Sequence, residues 1–130
     1  MSTNLAASPQ SYRESAILTA PPQRLVVMLY DGAHRFLYQA AAAMRAGQAD
    51  VSSDRLRRAE DIVSHLQSTL DMSQGEISHR LDAIYRFCLQ QLAQARVRKQ
   101  PERIDDVMRL LGELRDAWNE ISSRPMAEIA

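Results

Sequence analysis

Only one cysteine, four glycines and five prolines occur among the 130 residues, and neither sign of charge is in excess. The lone Cys88 excludes an intramolecular disulfide and suits a reducing compartment. Sixteen Lys and Arg balance sixteen Asp and Glu, for a formal net charge of zero. A nucleic-acid binder would normally carry a cationic excess or stripe, so the balance argues against that class. The longest strongly apolar run, Leu25 to Tyr30, has six residues, against the roughly 20 needed to span a bilayer. Met1 to Gln10 has neither a basic head nor an apolar stretch and does not read as a secretory signal. There is no glycine-rich phosphate loop, Walker lysine or Cys-x-x-Cys, so nucleotide and zinc sites have no support. A soluble cytoplasmic protein remains, with one domain's length and room to bury roughly 65–70% of the unfolded chain's surface.

What is present has helical period. Leu25, Leu29, Ala33, Phe36 or Leu37, Ala40 and Met44 recur at steps of three and four. Pro22 suits the first position of that helix and Gly47 its stop. A second helix is expected to open between Asp50 and Asp54, with Ser52 and Ser53 as alternative caps, and to bury Leu56, Ala59, Ile62, Val63, Leu66 and Leu70. Ser73-Gln74-Gly75-Glu76 has capping-box spacing and predicts the start of a third helix. Its stripe is Ile77, Leu81, Ile84, Tyr85, Cys88, Leu92 and Ala95. Pro101 restarts the chain, with Glu102 and Asp105 near the positive end of the helix dipole. The fourth stripe is Ile104, Val107, Met108, Leu111, Leu114, Trp118 and Ile121. Nothing reads as a strand. Short connections make consecutive helices antiparallel neighbours, so the expected fold is an all-α, antiparallel four-helix bundle.

Residues 1–11 are small and polar and read as a disordered N-terminus. Residues 12–21 are different: Tyr12, Ala16, Ile17 and Leu18 are too apolar for a solvated linker and predict a leader segment packed on the bundle. The bundle then covers 22–122, and 123–130 is a loose tail. Asp31 with Arg35 and Phe36 echoes Asp82 with Arg86 and Phe87, which reads as two surface ion pairs beside core aromatics.

The candidates for chemistry are weak. A di-iron bundle needs Glu-x-x-His on each of two helices, and only Glu76-Ile-Ser-His79 is found. His34 and His65 have ordinary surface spacings, so no metal or cofactor is expected. A Ser-His-Asp hydrolase would need a nucleophile on a strained strand-turn-helix elbow. Cys88 falls on an apolar stripe, where a thiol serves as a small hydrophobe. No catalytic residue is assigned. Arg55, Arg57 and Arg58 cluster near the second helix start, while Arg96, Arg98 and Lys99 complement the C-terminal dipole of the third and can pair with acids of the fourth.

Two features point to binding instead. Gly32 lies mid-helix, at about 1 kcal/mol against Ala, and its missing side chain would let another backbone approach. Val26, Val27, Met28 and Tyr30 also broaden the first apolar face, and six methionines provide adaptable surface.

Taken in order, these segments resemble one family. They are Tyr12-x-x-x-x-Ile17-x-Thr19-Ala20-x-Pro22, Leu25-Val-Val-Met-Leu29-Tyr30-Asp31-Gly32-Ala33 and Ala59-Glu-Asp-Ile62-Val63. There follow Leu66-Gln-Ser-Thr-Leu70-Asp71, Gly75-Glu76-Ile77-Ser78, Leu81-Asp-Ala-Ile84-Tyr85 and Leu110-Leu-Gly-Glu-Leu-Arg115-Asp116-Ala117-Trp118. From about Tyr12 to Ile121 the chain is similar to the FliS family, the flagellar secretion chaperones of flagellin. Pro21, Gln90, Gln91 and Arg96 depart from the family's usual residues.

The resemblance implies a noncatalytic, monomeric or weakly dimeric bundle in the cytosol, without nucleic-acid or membrane partners. It implies binding of the disordered C-terminal segment of flagellin, which blocks premature polymerisation. It also implies delivery of that cargo to the flagellar type III export gate, the FlhA cytoplasmic domain. Hydrophobic positions carried over as cargo contacts or lid are Tyr12, Ile17, Leu18, Leu29, Leu66, Leu70, Met72, Ile77, Leu81 and Tyr85, with Tyr12, Ile17 and Leu18 in a leader that covers the groove until displaced. The alternative is a helical adaptor or chaperone of this fold with a different secreted cargo.

Overall fold

The structure, a computed structural model, describes residues 22–122. Four helices run in chain order: α1 Pro22–Arg45, α2 Ala49–Ser68, α3 Glu76–Arg98 and α4 Pro101–Ser122, with a short 3-10 turn at Met72–Gln74. No strand occurs among the described residues. The expected leader at 12–21, the tail at 123–130 and the side chain of Ile121 lie outside the described residues. None of the described helices is long and apolar enough to cross a membrane.

Cross-helix contacts give the topology. Arg45 meets Asp105 and Asp31 meets Arg115, so numbers fall along α4 as they rise along α1. Gln39 with Arg55 relates α1 and α2 in the same way, and Glu60 with Arg96 and Gln67 with Asp82 relate α2 and α3. Each helix packs on its two neighbours in the ring α1, α2, α3, α4, with α1 and α3 on one diagonal. This is an up-down-up-down bundle.

The core lies where the four stripes converge, and Leu37, Leu56, Val63, Leu92, Ile104 and Leu111 are among its buried side chains. On α1 the buried centre is Val27, Tyr30, Ala33, Leu37 and Ala40, which leaves Leu25 and Leu29 half-buried. On α3 the core begins only at Tyr85: Ile77 is 66% exposed, and Phe87 also faces out. Among the described residues, the first turn of α3 is packed less closely than the rest of that helix, although Ser78 there is buried.

Several local expectations are corrected. The α1–α2 turn closes as a Schellman motif: Gln48 N–H donates to the Ala43 carbonyl and Gly47 N–H to that of Met44, with Gly47 at φ +74°. Gln48 then accepts from Ser52 N–H and is itself the N-cap, so α2 opens earlier than Ser52 or Ser53. Ser52 is buried one turn inside it. The capping box does not form either. Asp71 accepts from both the backbone N–H and the hydroxyl of Ser73, at 3.0 and 2.6 Å. Its carboxylate is a stronger acceptor than a hydroxyl and draws Ser73 into the 3-10 turn, while Gly75 at φ +83° caps α3 without a side chain. Glu76 pairs with Arg80 instead.

Ion pairs also depart from the simplest reading. Asp82 pairs with Arg86 as expected, but Asp31 reaches across to Arg115 at 2.9 Å. Arg96 grips Glu60 of α2 through both terminal guanidinium nitrogens, at 3.0 and 2.7 Å, rather than an acid of the fourth helix. Arg55, Arg57 and Arg58 all converge on Asp54, whose carboxyl is held below its ordinary range first by the Arg58 bond and then by Arg55.

Candidate functional site

Thr69 to Gly75 separates the end of α2 from the start of α3, and this spacing holds the two helix ends apart. A groove of about 310 Å³ opens there. Leu66 closes it from α2, and Leu70 extends the apolar wall through the turn. Ile77, Leu81 and Tyr85, at successive steps of four, present one face of α3 to it. Val26 arrives from the first turns of α1 and Trp118 from the last turns of α4. All four helices therefore contribute.

Polar atoms along the groove satisfy each other. Ser78 Oγ donates to the Asp71 carbonyl at 2.7 Å, tying the first turn of α3 to the connection, and Thr69 Oγ1 donates to the Leu66 carbonyl at 2.8 Å. Bonds made internally leave carbon to face an incoming group, so the surface is suited to apolar side chains. Exposure rises from floor to rim: Leu66 and Tyr85 are buried, Leu70 and Leu81 half-buried, Ile77 mostly in solvent. A side chain held in water at the rim of an apolar trough is what a partner would cover.

Beneath the floor, Tyr85 Oη meets Tyr30 Oη at 2.5 Å, a hydrogen bond that joins the diagonal helices α1 and α3. Burial, then the bond to Tyr85, raises the Tyr30 phenol well above its ordinary range. Burial also raises Tyr85, so both are protonated at neutral pH. Cys88 lies one turn further along α3, fully buried, its thiol pushed up to about 11 by desolvation. It is a packed hydrophobe and not a nucleophile.

Of the residues anticipated from sequence, the structure brings Leu66, Leu70, Ile77, Leu81 and Tyr85 to this groove. Met72 is exposed on the adjoining 3-10 turn without lining it, and Leu29 packs half-buried against the core. Tyr12, Ile17 and Leu18 lie outside the described residues. Sequence reasoning missed Trp118, taken as ordinary core, Thr69 and Asp71 of the connection, and Ser78 in the first turn of α3. Val26 stood out only as part of a broad apolar face. His34, His65 and His79 are all exposed, and no group of three metal-ligating side chains occurs among the described residues.

The sequence profile of the family described as Flagellar protein FliS matches residues 4–125. The chain is 36% identical over 122 residues to the flagellar secretion chaperone FliS of Vibrio cholerae, covering 90% of each chain. It is 33% identical over 113 residues to that of Salmonella typhimurium, covering 85% of this chain and 84% of the other. With that of Bacillus subtilis the identity is 28% over 110 residues, 85% of this chain and 82% of the other.

Proposed function

This chain belongs to the FliS family and is a flagellar export chaperone, and from that premise we propose that its cargo is the C-terminal segment of flagellin, seated in the groove between α2 and α3. The observation that carries this reading is the apolar trough itself, with Ile77 standing 66% exposed at its rim.

An amphipathic segment that is disordered when free folds as it binds. Its apolar side chains, three and four residues apart, enter the trough against Leu66, Leu70, Leu81 and Tyr85. Burial of that surface drives association, and ordering of the segment opposes it. While seated, the segment's apolar stripe is unavailable to other flagellin molecules, which prevents premature polymerisation in the cytosol. The loaded complex is then recognised by the export gate through the FlhA cytoplasmic domain. No covalent bond is made or broken at any step.

Residues 12–21 act as a lid over the same trough in the empty chaperone. In support, Val26 lines the groove one turn after Pro22, so the chain entering α1 starts beside it. Tyr12, Ile17 and Leu18 supply apolar groups of the kind the trough accepts.

Calorimetric titration with a flagellin C-terminal peptide tests the reading. A 1:1 complex with a clearly negative heat-capacity change is expected. Absence of binding at tens of micromolar peptide would exclude flagellin and leave a different secreted cargo for the same groove.

A further inference from the structure

Tyr30 contributes no surface to the groove. It lines a separate cleft of about 280 Å³ between α1 and α4, beside the Asp31–Arg115 ion pair. Yet its hydroxyl crosses the core to Tyr85, which does line the groove, and its own side chain is 1% exposed. Trp118 lines the groove as well.

Two tyrosines at these positions are a demanding choice. A phenylalanine pair would fill nearly the same volume without burying polar atoms. The hydroxyls are satisfied only when α1 and α3, which do not pack side by side, hold one rotation and height relative to each other. A small slip breaks the bond between two buried phenols, so the bond selects one placement of Tyr85.

We propose that Tyr30 is a positioning residue for cargo binding, holding Tyr85 where its ring forms the inner wall of the groove. This rests on the assignment of that groove to cargo. Because Tyr30 offers the groove nothing directly, any effect of its hydroxyl on affinity passes through the residues it orients. Its hydroxyl links the α1–α4 cleft to the groove through one hydrogen bond.

The test uses the full chain, the flagellin C-terminal peptide and Trp118, the single tryptophan, as a fluorescent reporter. At 25 °C, Tyr30→Phe is expected to weaken peptide binding about tenfold, because a Tyr85 ring no longer held in place must be ordered when the peptide binds. Trp118 should become more quenchable by acrylamide, a signature that a general loss of stability well below melting would not produce. Tyr85→Phe alone should weaken binding to a similar extent, and the double variant no further, since both substitutions remove the same bond. Should Tyr30→Phe not fold, the Tyr30→Phe/Tyr85→Phe chain leaves no orphan hydroxyl and is expected to show the same tenfold loss. Wild-type affinity in either variant, or fully additive losses, overturns the proposal while leaving the cargo assignment intact. A folded wild-type chain that ignores the peptide overturns both.

Discussion

Ile62 Cδ1 lies 3.3 Å from where a Cβ on Gly32 would stand, so the α1 glycine makes room for a side chain of α2 and not, as sequence suggested, for a backbone. Gly112, midway along α4, has no such neighbour within 4 Å.

Gly112→Ala should therefore stabilise the bundle by about 0.5–1 kcal/mol, the ordinary helix gain. Gly32→Ala gains the same propensity but displaces Ile62, and should remain within about 0.5 kcal/mol of wild type. Urea unfolding of both variants checks this; equal stabilisation would mean that the Ile62 contact imposes nothing.

Lys99 ends α3 in the left-handed conformation at φ 55°, where a side chain is penalised. Lys99→Gly is expected to raise stability by about 0.5–1 kcal/mol, and the β-branched Lys99→Val to lower it. Thermal melts of the two should shift in opposite directions.

Alkaline pH should destabilise the fold. The thiol of Cys88 is raised from an ordinary 9.0 to about 11, and burial raises both Tyr30 and Tyr85. For acids whose folded value is raised, the unfolded chain releases the protons first. The contribution is whole below the unfolded values and is lost as pH climbs through them toward the folded ones, with each group steepening the fall by at most about 1.4 kcal/mol per pH unit. Urea midpoints from pH 7 to 11 should drop beyond pH 9, and Cys88→Ala should make the first part of the drop shallower. Midpoints flat across that range would contradict this account.

Floor and rim of the groove should separate in mutation. Leu66 is 2% exposed, and Leu66→Ala should cost about 2–5 kcal/mol of stability. Ile77→Ser, at the solvated rim, should change stability by less than about 0.5 kcal/mol while weakening flagellin peptide binding. Calorimetry beside denaturation distinguishes the two; an Ile77→Ser chain with unaltered affinity would remove the rim from the binding surface.

If residues 12–21 form a lid, Tyr12→Ala with Ile17→Ala should speed protease cleavage before Pro21 and leave far-ultraviolet circular dichroism unchanged. Global unfolding of that variant would contradict a lid.

Helix number, order and handover were legible from spacing alone. Apolar residues three and four apart report a buried face whatever lies opposite, and the stops at Gly47 and Lys99 to Pro101 are local. Five of the groove residues were named through the family likeness, which carries over hydrophobic positions of α2, the turn and α3. Trp118 and Val26 escaped, since no periodicity within one helix tells which of its apolar residues stands beside another helix's end. Packing alone decided that Ile77 leaves the core, that Asp31 chooses Arg115 over Arg35, and that Tyr30 finds Tyr85 across the diagonal. Each of these is a relation between residues distant along the chain, settled by which surfaces meet when four stripes are buried at once.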